Sequence, residues 1–137
     1  MVSDGFGFYV RPMLEMAGLG HVEVRTNELD LSGPRPRLRH RFSHPTFRGC
    51  GTCKMLADVE FRERFGPVAF VGDGRSDRYR ALYADLVFAK DDLARVCRRD
   101  GVPFVPWSTF DDVLRELEAA ENMPGPTAPD PCPGWRS

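Results

Sequence analysis

The stretch Val68-Ala69-Phe70-Val71-Gly72-Asp73-Gly74-Arg75-Ser76-Asp77 is the part of the sequence that decides the fold. Its first four residues form an uninterrupted apolar run, which is typical of a strand buried on both faces of a parallel sheet. The turn that follows lies where such a strand ends, and parallel sheets bind their ligands at that edge. The sequence therefore predicts an α/β fold with a functional loop at residues 72–77.

Asp73 and Asp77 are the two carboxylates of this loop. Asp73 is expected to leave the strand end, and Asp77 to lie one helical turn further on. Mg²⁺ takes one or two carboxylates and keeps its other positions for water and substrate phosphate, so the pair suits a Mg²⁺ site. The structural alternative is a glycine turn in which an aspartate caps the next helix. The spacing alone leaves both alternatives open.

Amphipathic segments on both sides of this loop predict helices. The first covers residues 6–17; its regular part is expected to begin near Pro12, because proline fits only a first turn, and Gly18 is expected to end it. Further helices are predicted at 53–65, 76–83 and 91–100. The spacing of Ser108 and Asp111 predicts a capping box for a last helix. Its apolar stripe consists of Phe110, Val113, Leu114 and Leu117.

Short apolar or alternating segments predict strands at residues 21–25, 68–71, 86–89 and 102–105. Pro103 places the last of these at an edge of the sheet. Residues 32–49 are rich in Arg, Pro, Gly and His and predict a loop with one hairpin around residues 38–42. Strands that alternate with helices at short spacing indicate the α/β class with a parallel sheet.

The composition is that of an ordinary globular protein. The 137 residues are 42% hydrophobic and 28% charged, and the net charge is −1. This balance does not indicate nucleic acid as a partner, and the apolar runs are far too short for a membrane span. Because the sequence shows no secretory signal, Cys50, Cys53, Cys97 and Cys132 are expected to be reduced thiols in the cytoplasm.

Several segments follow one another in the order of known motifs: Val2-Ser3-Asp4-Gly5-Phe6-Gly7-Phe8-Tyr9-Val10-Arg11-Pro12, Asn27-Glu28, His44-Pro45, Cys50-Gly51-Thr52-Cys53-Lys54, Val71-Gly72-Asp73 and Ser108-Thr109-Phe110-Asp111-Asp112-Val113. In this order they resemble the haloacid dehalogenase (HAD) superfamily of phosphatases. More narrowly, the chain is similar to the phosphoserine-phosphatase-like branch, which includes a phosphatase of methionine salvage. The resemblance covers residues 1–118.

The resemblance implies a Mg²⁺-dependent phosphatase that works through a phosphoaspartate and acts on a small phosphorylated metabolite. The implied phosphate-binding residues are Ser3, Asp4, Gly5 and Lys54. Of these, Ser3 and Lys54 are the implied catalytic residues: Ser3 hydrogen-bonds a phosphoryl oxygen and Lys54 stabilises its charge. The implied metal residues are Asp73, which ligates Mg²⁺, and Asp77, which supports the site. Outside the motif order, Ser3 reads as an ordinary terminal serine and Lys54 as a solvated charge.

The fold implied for residues 1–121 is the C-terminal part of a HAD-like domain. It is a partial three-layer Rossmann-like core with a parallel sheet that lacks the first, central strand and the cap segment. Residues 122–137 are proline-rich and are expected to form a disordered tail.

The chain departs from the family at two points. Asp4 stands where the family often has glycine. The nucleophile of the family lies in an Asp-x-Asp motif after an apolar strand, and none occurs in these 137 residues. The nearest approach, Glu28-Leu29-Asp30, begins with a glutamate. The chain alone is therefore expected not to turn over phosphate esters. A truncated reading frame is the favoured reason; a broken coding sequence, or a partner chain or upstream segment that supplies the Asp-x-Asp strand, are the others.

Three alternative readings remain open at this point. Cys50 and Cys53 form a CxxC pair that, with His44 or His40, suits half of a zinc site, or a redox pair. A basic loop carries arginines that are either solvated or contact a substrate phosphate, namely Arg35, Arg37, Arg39, Arg41 and Arg48. The whole chain can also be a non-catalytic, Rossmann-like binding or regulatory module.

Overall fold

The computed structural model describes residues 1–43, 51–120 and 123–127. Within these residues the helices are α1 (Gly7–Met16), α2 (Lys54–Phe65), α3 (Arg78–Tyr83), α4 (Asp91–Asp100) and α5 (Phe110–Ala119). The strands are β1 (Val2–Phe6), β2 (Arg25–Asp30), β3 (Arg37–Arg39), β4 (Ala69–Gly72), β5 (Leu86–Ala89) and β6 (Val105–Pro106). The chain divides into two compact units, the first formed by Met1–Leu56 and the second beginning at Ala57.

The first unit is built on the sheet β1-β2-β3, in which β1 and β2 run parallel. The predicted strand at residues 21–25 is wrong, because β2 begins only at Arg25. Arg25, Thr26 and Asn27 are all buried, at 8%, 1% and 5% exposure. A pattern rule that seeks apolar residues on the buried face does not detect such a strand. The prediction of a hairpin near residues 38–42 is shifted as well: β3 pairs antiparallel with β2, with Leu38 opposite Leu29.

Helix α1 begins at Gly7 rather than near Pro12, so the expected start of its regular part is wrong. Pro12 lies inside the helix on its exposed side, whereas Val10 on the same helix is buried. Gly18 adopts a left-handed φ of +73° and ends the helix as predicted.

The second unit confirms the α/β class with parallel strands. The chain passes from β4 through α3 to β5, and from β5 through α4 to β6, and all three strands are parallel. The runs at residues 68–71 and 86–89 are strands within one residue of prediction. The core between sheet and helices consists of Phe70, Ala81, Ala84, Val87, Ala89, Leu93, Ala94, Cys97 and Val102.

The end of the second unit differs in detail from the sequence prediction. Strand β6 is an edge strand as expected, but it begins at Val105. The capping contact lies one residue later than predicted, since Asp112 Oδ2 accepts the backbone N–H of Thr109 at 2.9 Å. Only part of the apolar stripe of α5 is covered, because Val113 is buried whereas Phe110 is 72% exposed.

None of the helices formed by residues 1–43, 51–120 and 123–127 has the length and apolar character that a membrane crossing requires. Of the tail predicted at residues 122–137, residues 122 and 128–137 lie outside the described residues. Within the described part of that segment, the Gly125 N–H donates to the Asp85 carbonyl at 3.1 Å.

Candidate functional site

A bulge in strand β1 carries the first motif. The pairing of β1 with β2 is irregular. Val2 lies opposite Arg25 and Phe6 lies opposite Asn27, so the register shifts between Val2 and Phe6. Ser3 lies inside β1, in the irregular part between Val2 and Phe6. Its Oγ accepts the backbone N–H of Gly5 at 3.0 Å, which closes the bulge into a tight turn.

Lys54 contacts this bulge from the start of α2. Its Nζ lies 3.2 Å from Asp4 Oδ2, and the Lys54 side chain is only 13% exposed. This low exposure does not fit the alternative reading of Lys54 as a solvated surface charge. The structure therefore places together the four residues for which the sequence implied phosphate contact, namely Ser3, Asp4, Gly5 and Lys54.

Asn27 fixes the bulge in place from strand β2. Its Nδ2 donates to the Asp4 carbonyl at 2.8 Å, and His40 Nδ1 lies 2.7 Å from its Oδ1. Thr52, two residues before Lys54, is 3% exposed, and its hydroxyl donates to the Ser3 carbonyl at 3.2 Å. Sequence reasoning quoted Asn27 and Thr52 only as motif positions and gave them no role. Their buried polar side chains hold the segment before Lys54 against Ser3 and Asp4.

The second motif is the loop at the carboxyl end of β4, in the second unit. Asp77 is 7% exposed, and its Oδ2 accepts the Gly74 N–H at 3.2 Å. Asp73 is exposed, and its carbonyl accepts the Leu93 N–H at 2.9 Å. This is the position that parallel sheets use for ligands, as predicted. One carboxylate is thus held by the backbone and the other faces solvent.

Gly72 is so closely packed that any added side chain would force its neighbours to shift. A Cβ at this position would lie 2.5 Å from Phe70 Cζ, 2.9 Å from Leu93 Cδ2 and 3.0 Å from Asp77 Oδ2. The Gly72 carbonyl accepts the Trp107 Nε1–H at 3.2 Å. The ammonium of Lys90 lies 3.9 Å from the centroid of the Trp107 ring, a cation–π contact next to the same loop. Trp107 therefore lies beside this loop and can report on it by its fluorescence. Sequence reasoning did not single out Trp107.

A buried ion pair supports the helix that follows the loop. Arg80 on α3 donates through Nε to both carboxylate oxygens of Asp58 on α2, at 2.7 and 2.9 Å. The side chains are 11% and 2% exposed. Burial is the main cause that raises the pKa of Asp58 to about 6; Arg80 opposes this shift, and the charge of Asp77 makes a smaller contribution in the same direction as burial. The pair thus joins α2 to α3, the helix that follows the loop.

The alternative readings fall partly outside the described residues. Cys50, His44 and Arg48 belong to residues 44–50, so the zinc and redox readings of the CxxC pair lie outside them. In the described part of the chain, no three His, Cys, Asp or Glu side chains are grouped to hold a metal ion. In the basic loop, Arg41 pairs with Glu28 at 3.0 Å and remains 64% exposed.

Comparison with curated proteins identifies relatives that share one name, 2-hydroxy-3-keto-5-methylthiopentenyl-1-phosphate phosphatase. The Geobacillus kaustophilus protein is 35% identical over 124 residues, which cover 88% of this chain and 56% of that protein. The Lysinibacillus sphaericus protein is 32% identical over 126 residues, which cover 86% and 54%. The Exiguobacterium sibiricum protein is 29% identical over 123 residues, which cover 88% and 56%.

The chain thus spans about half the length of the curated relatives it matches. No model of a known protein family matches it. The resemblance to HAD-type phosphatases that the order of motifs indicated is nevertheless confirmed, because these relatives carry the name of such a phosphatase.

Proposed function

We propose that this chain provides the phosphate-binding and Mg²⁺-binding segments of a phosphoric monoester hydrolase that acts on a small phosphorylated metabolite. Ser3, Gly5 and Lys54 bind the phosphate group in this proposal, and Asp73 and Asp77 hold Mg²⁺. Phosphoryl transfer depends mainly on positioning and on neutralisation of charge, which donors and cations supply. The names of the relatives support the hydrolase class.

One observation carries the phosphate-binding part of the proposal. Lys54 Nζ reaches the residue between Ser3 and Gly5, although the two segments are far apart in the sequence. If the motifs are those of the family, Lys54 must lie next to the segment Ser3–Gly5. A chance likeness in sequence would not bring these two segments together. Ser3 supplies a hydroxyl, held in place by the Gly5 N–H at 3.0 Å, and Lys54 supplies a positive charge with three donors. Together they form a small anion-binding group.

The residues of the second motif suit Mg²⁺. Both acidic side chains offer oxygen, the ligand that this ion prefers, and Mg²⁺ usually takes only one or two protein carboxylates. Asp77 accepts a backbone N–H, which orients its carboxylate. Asp73 is exposed and accessible to a hydrated ion. When bound, the ion would supply positive charge that offsets the charge of a phosphate.

Phosphate binding by the whole chain tests this proposal. Inorganic phosphate is titrated into ¹⁵N-labelled protein, and the amide signals of Ser3, Asp4 and Gly5 are followed by NMR. We expect saturable shifts at these amides, and a loss of affinity of at least about tenfold in Lys54→Met, because a buried phosphate contact loses its charge-assisted partner. Arg41→Met is the matched control, since that cation is exposed and pairs with Glu28.

Turnover is the second readout of the same experiment. A generic aryl phosphate with Mg²⁺ is expected to remain unhydrolysed by these 137 residues, because they contain no Asp-x-Asp nucleophile motif. Equal phosphate affinity in wild type and Lys54→Met would refute the proposed binding site. Robust hydrolysis by the chain alone would refute the expectation that turnover requires an Asp-x-Asp nucleophile.

A further inference from the structure

The side chain of Asp4 occupies the place at Lys54 where a phosphate would bind. Its Oδ2 lies 3.2 Å from Lys54 Nζ, within ion-pair distance. We propose that Asp4 is a built-in competitor: its carboxylate holds the Lys54 ammonium, and an anionic ligand binds there only when Asp4 moves away. This inference rests on the proposed function, since it assumes that Lys54 is the phosphate-binding cation.

Burial explains why the competition is effective. The Lys54 side chain is 13% exposed, so its charge is poorly solvated and favours a close anionic partner. A phosphate that approached Lys54 with Asp4 still in place would meet a carboxylate of the same sign. Like charges brought together at a binding site cost binding free energy. Phosphate binding must therefore break the Asp4–Lys54 pair, and the free energy of that pair makes phosphate binding less favourable.

Asp4 can leave without disturbing the rest of the bulge. Its side chain is 46% exposed, so water can solvate the carboxylate once it turns outwards. Its backbone is held independently, because the Asp4 carbonyl accepts from Asn27 Nδ2 at 2.8 Å and the Gly5 N–H donates to Ser3 Oγ at 3.0 Å. The moving part is one side chain. The donors around it stay in place.

Asp4 then determines which ligands the site accepts. A phosphate monoester that carries two negative charges attracts Lys54 more strongly than a carboxylate does, whereas a singly charged anion gains little by displacing Asp4. The structure thus assigns to Asp4 a role in specificity, in favour of doubly charged phosphate groups. Glycine or asparagine at this position would accept weaker anions as well.

The test compares Asp4→Asn with wild type by NMR titration of the full chain at pH 8, with inorganic phosphate and with nitrate as a singly charged anion. We expect the variant to bind phosphate at least about tenfold more tightly, since one opposing charge is removed. We expect nitrate to shift the Gly5 amide only in the variant. Glu28→Gln is the matched control, because it removes a carboxylate paired with Arg41 at 3.0 Å in the same unit; it should leave both affinities unchanged.

Two other outcomes would overturn the proposal that Asp4 competes with the ligand. Unchanged or weaker phosphate binding in Asp4→Asn, together with a loss of binding in Lys54→Met, would mean that Asp4 does not compete, while the proposed function would stand. Unchanged binding in both variants would remove Lys54 from the anion site and overturn the proposed function too. If the Asn variant loses its dispersed amide spectrum, Asp4→Gly replaces it, because it also removes the carboxylate and adds no side chain to the bulge.

Discussion

Replacing Asp58 with alanine is expected to lower the free energy of unfolding by about 3–5 kcal/mol, the usual cost of removing one partner from a buried ion pair. Arg80 would keep its charge in a site where its side chain is only 11% exposed. Its guanidinium also lies 4.6 Å from the centroid of the Phe70 ring, so little water can reach it. Urea unfolding followed by circular dichroism measures the loss.

Two controls separate this effect from a general loss of charge. Asp92→Ala removes a carboxylate from a pair of similar length, 2.6 Å to Arg95, whose side chains are 46% and 74% exposed. It should cost no more than about 1 kcal/mol, because water screens such pairs. The double variant Asp58→Leu with Arg80→Met should recover most of the lost stability, since two apolar side chains leave no unpaired charge. Equal losses in Asp58→Ala and Asp92→Ala would show that the pair is not buried in solution.

Gly72→Ala is expected to destabilise the second unit by about 1–3 kcal/mol, as overpacking of a dense core does. The added Cβ would lie 2.5 Å from Phe70 Cζ and 2.9 Å from Leu93 Cδ2, and both side chains are buried, at 4% and 0% exposure. It would also lie 3.0 Å from Asp77 Oδ2, so relief of the clash displaces a proposed Mg²⁺ carboxylate. Thermal unfolding of the purified variant measures the first effect.

Gly74→Ala is the matched control for this prediction. A Cβ at Gly74 would find its nearest neighbour, Asp77 Oδ2, at 3.5 Å, an ordinary contact. The backbone φ of Gly74 is −95°, which alanine adopts readily. Gly74→Ala should therefore cost less than about 1 kcal/mol. A variant at position 72 as stable as the one at position 74 would contradict the close packing of Gly72.

Strands β4 and β5 of the second sheet were predictable from the sequence, because both are uninterrupted apolar runs. Three of the four residues of β5 are buried, whereas in β4 only alternate residues are, so the expectation of burial on both faces is wrong for β4. Strand β2 was not predictable in this way, because its buried residues Arg25, Thr26 and Asn27 are polar. Their burial depends on partners elsewhere in the sequence, such as the carbonyl of Asp4 for Asn27.

In the candidate site too, some features follow from the sequence and others depend on the fold. The order of motifs, a property of the sequence alone, led to the assignment of site roles to Ser3, Lys54, Asp73 and Asp77, and these roles stay predictions. Asp58 lies one helical turn after Lys54 and has the sequence features of a surface helix charge. Only the pairing with Arg80 shows that it is buried. The pairing of Asp4 with Lys54 likewise depends on two segments that the fold brings together.

The most direct test of the central claim is a Mg²⁺ titration monitored by Trp107. This indole donates to the Gly72 carbonyl, one residue before Asp73, and Trp135→Phe leaves it as the only tryptophan of the chain. We predict a saturable change in fluorescence with Mg²⁺, and an affinity at least about tenfold lower in Asp73→Asn. As a control, Asp92→Asn should bind Mg²⁺ with the same affinity as the Trp135→Phe parent. A fluorescence that does not respond to Mg²⁺, or an Asp73→Asn variant that binds with unchanged affinity, would contradict the assignment of this loop as the metal site.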